Sequence, residues 1–252
     1  MTQTKETVAV VGLGRFGRFW AEMISPAWTV VGTSRREIVD LPSGVVQKPL
    51  PQALHESSIV FLTVSISSLS AVLPELVPHL RPDTTVVDTC SVKTYPVEQM
   101  QQHLPEHIDI VACHPMFGPD SARERRDSLP VILWPVRDSH GRFSAITDAF
   151  TTLGMRPEIM SPEEHDREAA ETQGVTHLIG RVLERLELQP STIATLGYTR
   201  LMQVMEQTCN DPVELFRDLQ RYNPYTRSMR QRLRDALIAT EELLETRSTD
   251  ET

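Results

Sequence analysis

The hydrophobic positions of this chain change period part-way along it. Short β-branched runs come first. Val8-Ala9-Val10-Val11, Thr29-Val30-Val31-Gly32-Thr33 and Ile59-Val60-Phe61-Leu62-Thr63-Val64 are nearly continuous in apolar character, as strands covered on both faces of a parallel sheet must be. Thr84-Thr85-Val86-Val87-Asp88, Ile108-Asp109-Ile110-Val111-Ala112, Pro130-Val131-Ile132-Leu133-Trp134 and Arg156-Pro157-Glu158-Ile159-Met160 continue the series, with helix-like stretches between them. This alternation predicts an α/β fold with a Rossmann-type, doubly wound sheet. The pattern changes at Ser161-Pro162-Glu163-Glu164, where Ser161 can cap a helix, Pro162 suits its first position and Glu164 can reach back to complete a capping box. From there to about Leu244 the period is helical, and Val175, Leu178, Ile179, Val182 and Leu186 mark one apolar face. The expected organisation is an α/β domain over residues 1–160, an all-helical domain over 161–246 and a polar tail over 247–252.

Composition narrows the classes. Of 252 residues, 40% are hydrophobic and 23% charged, which supports a buried core and excludes disorder. A net charge of −9 argues against nucleic acid as a general partner. No apolar run approaches the length of about 18 residues that a membrane span needs, so no membrane partner is expected. The polar start, Met1-Thr2-Gln3-Thr4-Lys5-Glu6, carries no signal-peptide pattern. Cys90, Cys113 and Cys209 show neither metal nor redox spacing, so no metal is expected, and an odd number of thiols fits a reducing, cytoplasmic location.

The segment Gly12-Leu13-Gly14-Arg15-Phe16-Gly17 sits between the first strand and a helix that begins around Arg18-Phe19-Trp20. This is the setting of a dinucleotide fingerprint: one glycine for the tight turn, one for approach to the pyrophosphate, one for close helix packing. The phosphates would then meet free N–H groups at the positive end of a helix. An NAD site ordinarily places a carboxylate at the end of the second strand. Here that position reads Ser34-Arg35-Arg36, a hydroxyl and two guanidinium groups that suit a 2′-phosphate, so the expected cofactor is NADP. Ligands bind at the carboxyl ends of strands in such sheets, which adds Thr63 and Val64 to the cofactor side.

Two more segments fall at strand ends: Asp88-Thr89-Cys90-Ser91-Val92-Lys93 and His114-Pro115-Met116-Phe117-Gly118-Pro119. A third group, Glu164-His165-Asp166, Gln173 and Thr176-His177, lies at the start of the helical region. Lys93, near a helix N-terminus that follows Ser91, suits cofactor phosphate or carboxamide contacts, or else water. Ser91 alone reads equally as a helix cap, His114 as part of a turn, and His177 as a core histidine. Gln173 stands one turn before His177 on the same helix face, where both can bond one ligand. His165 and Asp166 read as structural.

Taken together, these motifs resemble the prephenate/arogenate dehydrogenase family of tyrosine biosynthesis over essentially the whole chain. Thr176-His177-Leu178-Ile179-Gly180-Arg181-Val182-Leu183-Glu184 and Tyr222-Asn223-Pro224 look most like its plant-type arogenate branch. The resemblance implies oxidative decarboxylation of a cyclohexadienol: hydride leaves C4, the C4 hydroxyl loses its proton, CO2 departs and the ring becomes aromatic. It implies that His114 takes that proton, that Ser91 bonds the same hydroxyl or orients the imidazole, and that His177 touches substrate. Arogenate carries an ammonium where prephenate carries a keto group, and Asp211 stands where arogenate users keep an acidic residue, although Asp211-Pro212 is also a helix-cap pattern. Arg217 and Arg221, four apart on one helix, are candidates for the ring carboxylate. The resemblance further implies a homodimer formed through the helical domain. The expected activity is NADP-dependent conversion of arogenate to tyrosine. The alternatives are a prephenate dehydrogenase, a β-hydroxyacid or imine-reductase-type enzyme, against which the lack of lysine from Arg167 through Leu186 counts, and a non-catalytic NADP-sensing module.

Overall fold

A computed structural model describes residues 5–124 and 128–245, so the expected 247–252 tail lies outside the described residues. The chain divides into two compact units, Met1–His165 and Asp166–Thr252.

The first unit is built on strands β1 (Thr7–Val11), β2 (Thr29–Thr33), β3 (Val46–Gln47), β4 (Ile59–Leu62), β5 (Thr85–Asp88), β6 (Asp109–Pro115), β7 (Leu129–Arg137) and β8 (Met155–Ile159). They form one sheet in the order β3-β2-β1-β4-β5-β6-β7-β8. Helices α1 (Arg15–Ile24), α2 (Leu50–His55), α3 (Leu69–Leu76), α4 (Thr94–His103), α5 (Ser121–Glu124) and α6 (Arg142–Thr152) connect them. Every residue of β4, β5 and β6 is buried, which explains why their sequences carry no polar alternation. The sequence of β1 next to both β2 and β4 makes it the point where the winding reverses, and ligands of open α/β sheets bind at that point. Aromatic packing fixes α1 there: the Trp20 ring meets Phe61 of β4 edge-on at 5.8 Å and Phe150 of α6 at 5.5 Å.

The sheet has the expected doubly wound plan and is parallel except at one pairing. β7 pairs antiparallel with β6, from Ile110↔Arg137 to Pro115↔Val131. Among the described residues, the segment joining them holds the short α5, whereas a parallel return needs a crossover of about a dozen residues, usually a full helix. β3, two residues long, has no hydrophobic signature and is not apparent from the sequence pattern.

The division between the units falls within α7 (Pro162–Ala169). Its start is the anticipated capping box: Ser161 N and Oγ donate to Glu164 Oε2 at 3.1 and 2.5 Å, and Glu164 N donates to Ser161 Oγ at 3.4 Å. A π-helical turn, Ala170–Gly174, then leads into α8 (Val175–Arg185), α9 (Leu196–Cys209), α10 (Val213–Tyr222) and α11 (Thr226–Glu245).

The apolar face assigned to α8 is a correction. Val182 and Leu186 are 45% and 62% exposed, while the buried positions are His177 and Gly180. Close packing on α9 is the reason: a Cβ at Gly180 would stand 1.9 Å from Thr208 Oγ1, so the tightest contact is made by the small residue, Val182 and Leu186 turn outward, and Val175, Leu178 and Ile179 are half-buried.

Candidate functional site

The carboxyl ends of β1, β2, β4, β5 and β6 lie on one side of the sheet because these strands are parallel. Gly12 follows β1 with φ +102°, a conformation that L side chains rarely adopt, and its N–H donates to Thr33 O at 2.9 Å. A Cβ at Gly17 would sit 1.8 Å from Gly12 O, so α1 can approach the turn only with glycine there. A Cβ at Gly14 would meet nothing within 4 Å, and α1 starts at this residue with no side chain capping its N–H groups. Open space over a helix N-terminus with uncapped donors and no acidic residue in its first turn is a cradle of the right chemistry for a pyrophosphate. Thr63 braces it, with Oγ1 donating to Gly12 O at 2.6 Å and to Val11 O at 3.0 Å, and Val64 lies beside Gly12. The side chains of Leu13 and Phe16 pack inward. Leu13 is buried against Gly32, and Phe16 stacks on Trp20 at 6.0 Å. The Arg15 guanidinium pairs with Asp120 at 2.5 Å.

Beyond β2, Ser34 is half-buried and Arg35 and Arg36 are exposed. Nothing in the local residue pattern indicates what holds this loop. Gln47 of β3 does so: its Nε2 donates to Arg36 O at 2.7 Å, and its Oε1 accepts from Ile38 N at 2.9 Å. The basic pair is therefore presented on a pinned backbone.

Behind the end of β5, Asp88 and Lys93 form an ion pair in which Lys93 is only 1% exposed. Asp88 also accepts from Cys90 N at 3.1 Å and Cys113 N at 3.2 Å, while Lys93 Nζ donates to Cys113 O at 2.5 Å. Burial pushes the Asp88 carboxyl up, and the Lys93 ammonium and the two backbone N–H groups oppose that. Lys93 is thus neither solvated nor simply an exposed phosphate ligand. Its ammonium ties the end of β5 to the peptide that precedes His114. Removing one partner of such a pair costs about 3–5 kcal/mol, because the other charge is left buried. Burial likewise raises the Cys113 thiol, which keeps it protonated. Ser91 is half-buried and does not cap α4, whose N-cap is Lys93.

His114, the penultimate residue of β6, is 3% exposed. Its Nδ1 stands 2.8 Å from Nε2 of His165, with the rings edge-to-face at 5.0 Å and 73°. By its place in the sequence His165 reads as structural. The residues are 51 apart in the chain, and nothing in local spacing reveals the pair.

In the second unit, Gln173 Oε1, His177 Nδ1 and Arg181 Nε are buried without a hydrogen-bond partner among the described residues. Gln173 lies in the π-helical turn and His177 and Arg181 follow it in α8, and their spacing of four puts them on one helix face. Burial, and then the Arg181 guanidinium, pull the His177 imidazole down to about 4. Near neutral pH it is an uncharged hydrogen-bonding group. Arg181 Nη2 donates to the Asp211 carbonyl at 2.7 Å, and its guanidinium lies 5.9 Å from the Phe216 ring centroid. Thr176 is not on this face: it is exposed and donates to Thr172 O at 2.9 Å. Arg217 and Arg221 are also exposed, Arg221 lying 5.6 Å from the Tyr222 ring centroid. Asp211 is half-buried, and the N-cap position of α10 is Pro212, one residue after it.

Among the described residues, no three His, Cys, Asp or Glu side chains gather as a metal site. No described helix is long and apolar enough to cross a membrane.

Residues 30–158 match a family described as prephenate dehydrogenase, nucleotide-binding domain, and residues 182–252 match one described as TYRAAT1-like, C-terminal domain. Arogenate dehydrogenase 1, chloroplastic, of Arabidopsis thaliana is 35% identical over 228 residues, which are 86% of this chain and 36% of that protein. Arogenate dehydrogenase 2, chloroplastic, of the same plant is 34% identical over 237 residues, 90% of this chain and 66% of that protein. The chain therefore spans about a third of one and about two-thirds of the other. The crystal structure of prephenate dehydrogenase from A. aeolicus in complex with hydroxyphenyl propionate and NAD+ aligns with a TM-score of 0.73 at 19% identity, covering 97% of this chain and 92% of that one. At that identity the likeness is one of fold.

Proposed function

The chain belongs to the arogenate/prephenate dehydrogenase family, and from that premise we propose that it is an NADP-dependent arogenate dehydrogenase that forms tyrosine by oxidative decarboxylation. The observation that carries this reading is His114, buried on the ligand side of the sheet with its ring held by a 2.8 Å bond. The glycine turn and the N-terminus of α1 would hold the pyrophosphate, and Ser34, Arg35 and Arg36 the 2′-phosphate. When bound, the nicotinamide supplies the acceptor for the hydride lost from C4. His114 takes the proton of the C4 hydroxyl as the carbonyl forms, and Ser91 offers that oxygen a hydrogen bond. CO2 then leaves, the ring becomes aromatic, and His114 returns its proton to the phenolate. The gain of aromaticity drives the step, so the side chains need only move one proton and hold the ring in place.

Gln173 and His177, each with a buried unpartnered atom, supply neutral hydrogen bonds to substrate. Asp211 selects the ammonium of arogenate over the keto group of prephenate. Arg181, largely enclosed with its Nε buried and its Nη1 3.2 Å from Glu184 Oε2, stands on the same face as His177 and is a better candidate for the ring carboxylate than the exposed Arg217 and Arg221. The same reading includes a homodimer formed through the helical unit. It also includes a cytoplasmic setting, supported by three cysteines that form no disulfide with one another, two of them buried.

The test is a spectrophotometric assay with arogenate and prephenate, each with NADP and NAD. The expected result is a higher kcat/KM for arogenate with NADP than for any other combination. Better use of prephenate would move the assignment to prephenate dehydrogenase, and equal or better use of NAD would remove the role given to Ser34, Arg35 and Arg36.

A further inference from the structure

We infer that His165 is a positioning residue that fixes the tautomer of His114 through the Nε2···Nδ1 hydrogen bond between them; the inference rests on the proposed role of His114 as the proton acceptor. A neutral imidazole carries one N–H, and the partner of one ring nitrogen decides which nitrogen has it. His114 can take a proton at Nε2 only if its own proton is on Nδ1. In that state Nδ1–H donates to the lone pair of His165 Nε2, and His165 carries its proton on Nδ1. The opposite arrangement, with His165 donating, leaves His114 with Nε2–H and unable to act as a base.

The surroundings favour the productive form during turnover. When the C4 hydroxyl gives up its proton, the O–H bond breaks and an N–H bond forms at His114 Nε2. The electron pair left on oxygen forms the carbonyl as hydride departs to the nicotinamide. His114 is then an imidazolium, and its Nδ1–H becomes a charge-assisted donor to His165. No proton has to cross between the rings. A histidine does this work without placing a carboxylate's charge in a site where both rings are almost completely buried. The backbone side of His114 is fixed as well, because Asp88 and Lys93 hold the Cys113 peptide immediately before it. Ring and backbone are thus anchored independently.

The test uses selectively 15N-histidine-labelled protein and three variants. NMR of the wild type is expected to show His114 protonated at Nδ1 and bare at Nε2. His165→Leu is expected to lose that single tautomer and to lower kcat about 10–100-fold with KM for arogenate little changed. His165→Gln, whose Oε1 can accept the same N–H, is expected to recover kcat to within a few-fold of wild type. A wild-type His114 carrying Nε2–H would overturn the inference, as would full kcat in His165→Leu, or equal losses in the Leu and Gln variants. His114→Asn separates the two ideas: unimpaired turnover there sinks the proposed function itself, whereas lost turnover there with normal turnover in His165→Leu sinks only the positioning role.

Discussion

Single side chains carry most of the chemistry, and burial sets how they behave. His177 shows this most directly. In the folded chain it titrates near 4, against 6.5 for an unperturbed imidazole, because burial disfavours the charged ring and Arg181 repels it. As pH falls from about 6.5 to 4, the unfolded chain binds a proton at this position that the folded chain refuses. Stability should therefore drop through that window and change little from this source above it. The drop due to this residue is at most about 3 kcal/mol. Denaturant unfolding of the wild type and His177→Gln at pH 7 and pH 4.5 checks this: the wild type should lose more stability than the variant, and equal losses would contradict the assignment. Asp88 and Lys93 make a complementary case. The motif holding them was visible in the sequence, but their mutual neutralisation was not, because a lysine five residues after an aspartate has no fixed direction until the β5–α4 connection folds.

Elements explain where those side chains can stand. Glycine decides two close approaches. Gly17 lets α1 meet the β1 turn, and Gly180 lets α8 meet Thr208 on α9. Gly180→Ala should lower Tm by several degrees, since its Cβ would fall 1.9 Å from Thr208 Oγ1 and the two helices must separate. Adding Thr208→Ala removes that oxygen and should restore part of the loss. A thermal melt of both variants measures it, and an unchanged Tm for Gly180→Ala would refute the packing argument. The capping box at Ser161 and Glu164 was legible because its bonds are local. β3 was not, since two residues carry no period, although its Gln47 shapes the loop that presents Arg35 and Arg36.

At the scale of the whole molecule, the helical unit leaves unusually large apolar side chains in water. Leu237, Ile238, Leu243 and Leu244 on α11 are exposed, as are Val182 on α8 and Leu186 just after it. Such surface ordinarily marks an interface, which is the physical support for the proposed homodimer. Sedimentation should give a dimer for the wild type and a monomer for the double variant Leu237→Glu/Ile238→Glu; a wild-type monomer would remove the assignment. The amino-acid sequence by itself determined the α/β sheet, the glycine turn, the missing carboxylate after β2 and the helical second half. Each of these depends on neighbours within a few residues or on a repeating period. Tertiary structure alone decided that β7 runs antiparallel, that the small face of α8 is the buried one, that Lys93 neutralises Asp88, and that His165 reaches His114. Apart from the Asp88–Lys93 pair, whose geometry depends on how the β5–α4 connection folds, those outcomes join residues distant in the chain, and only chain closure and the exclusion of water bring such groups within bonding distance.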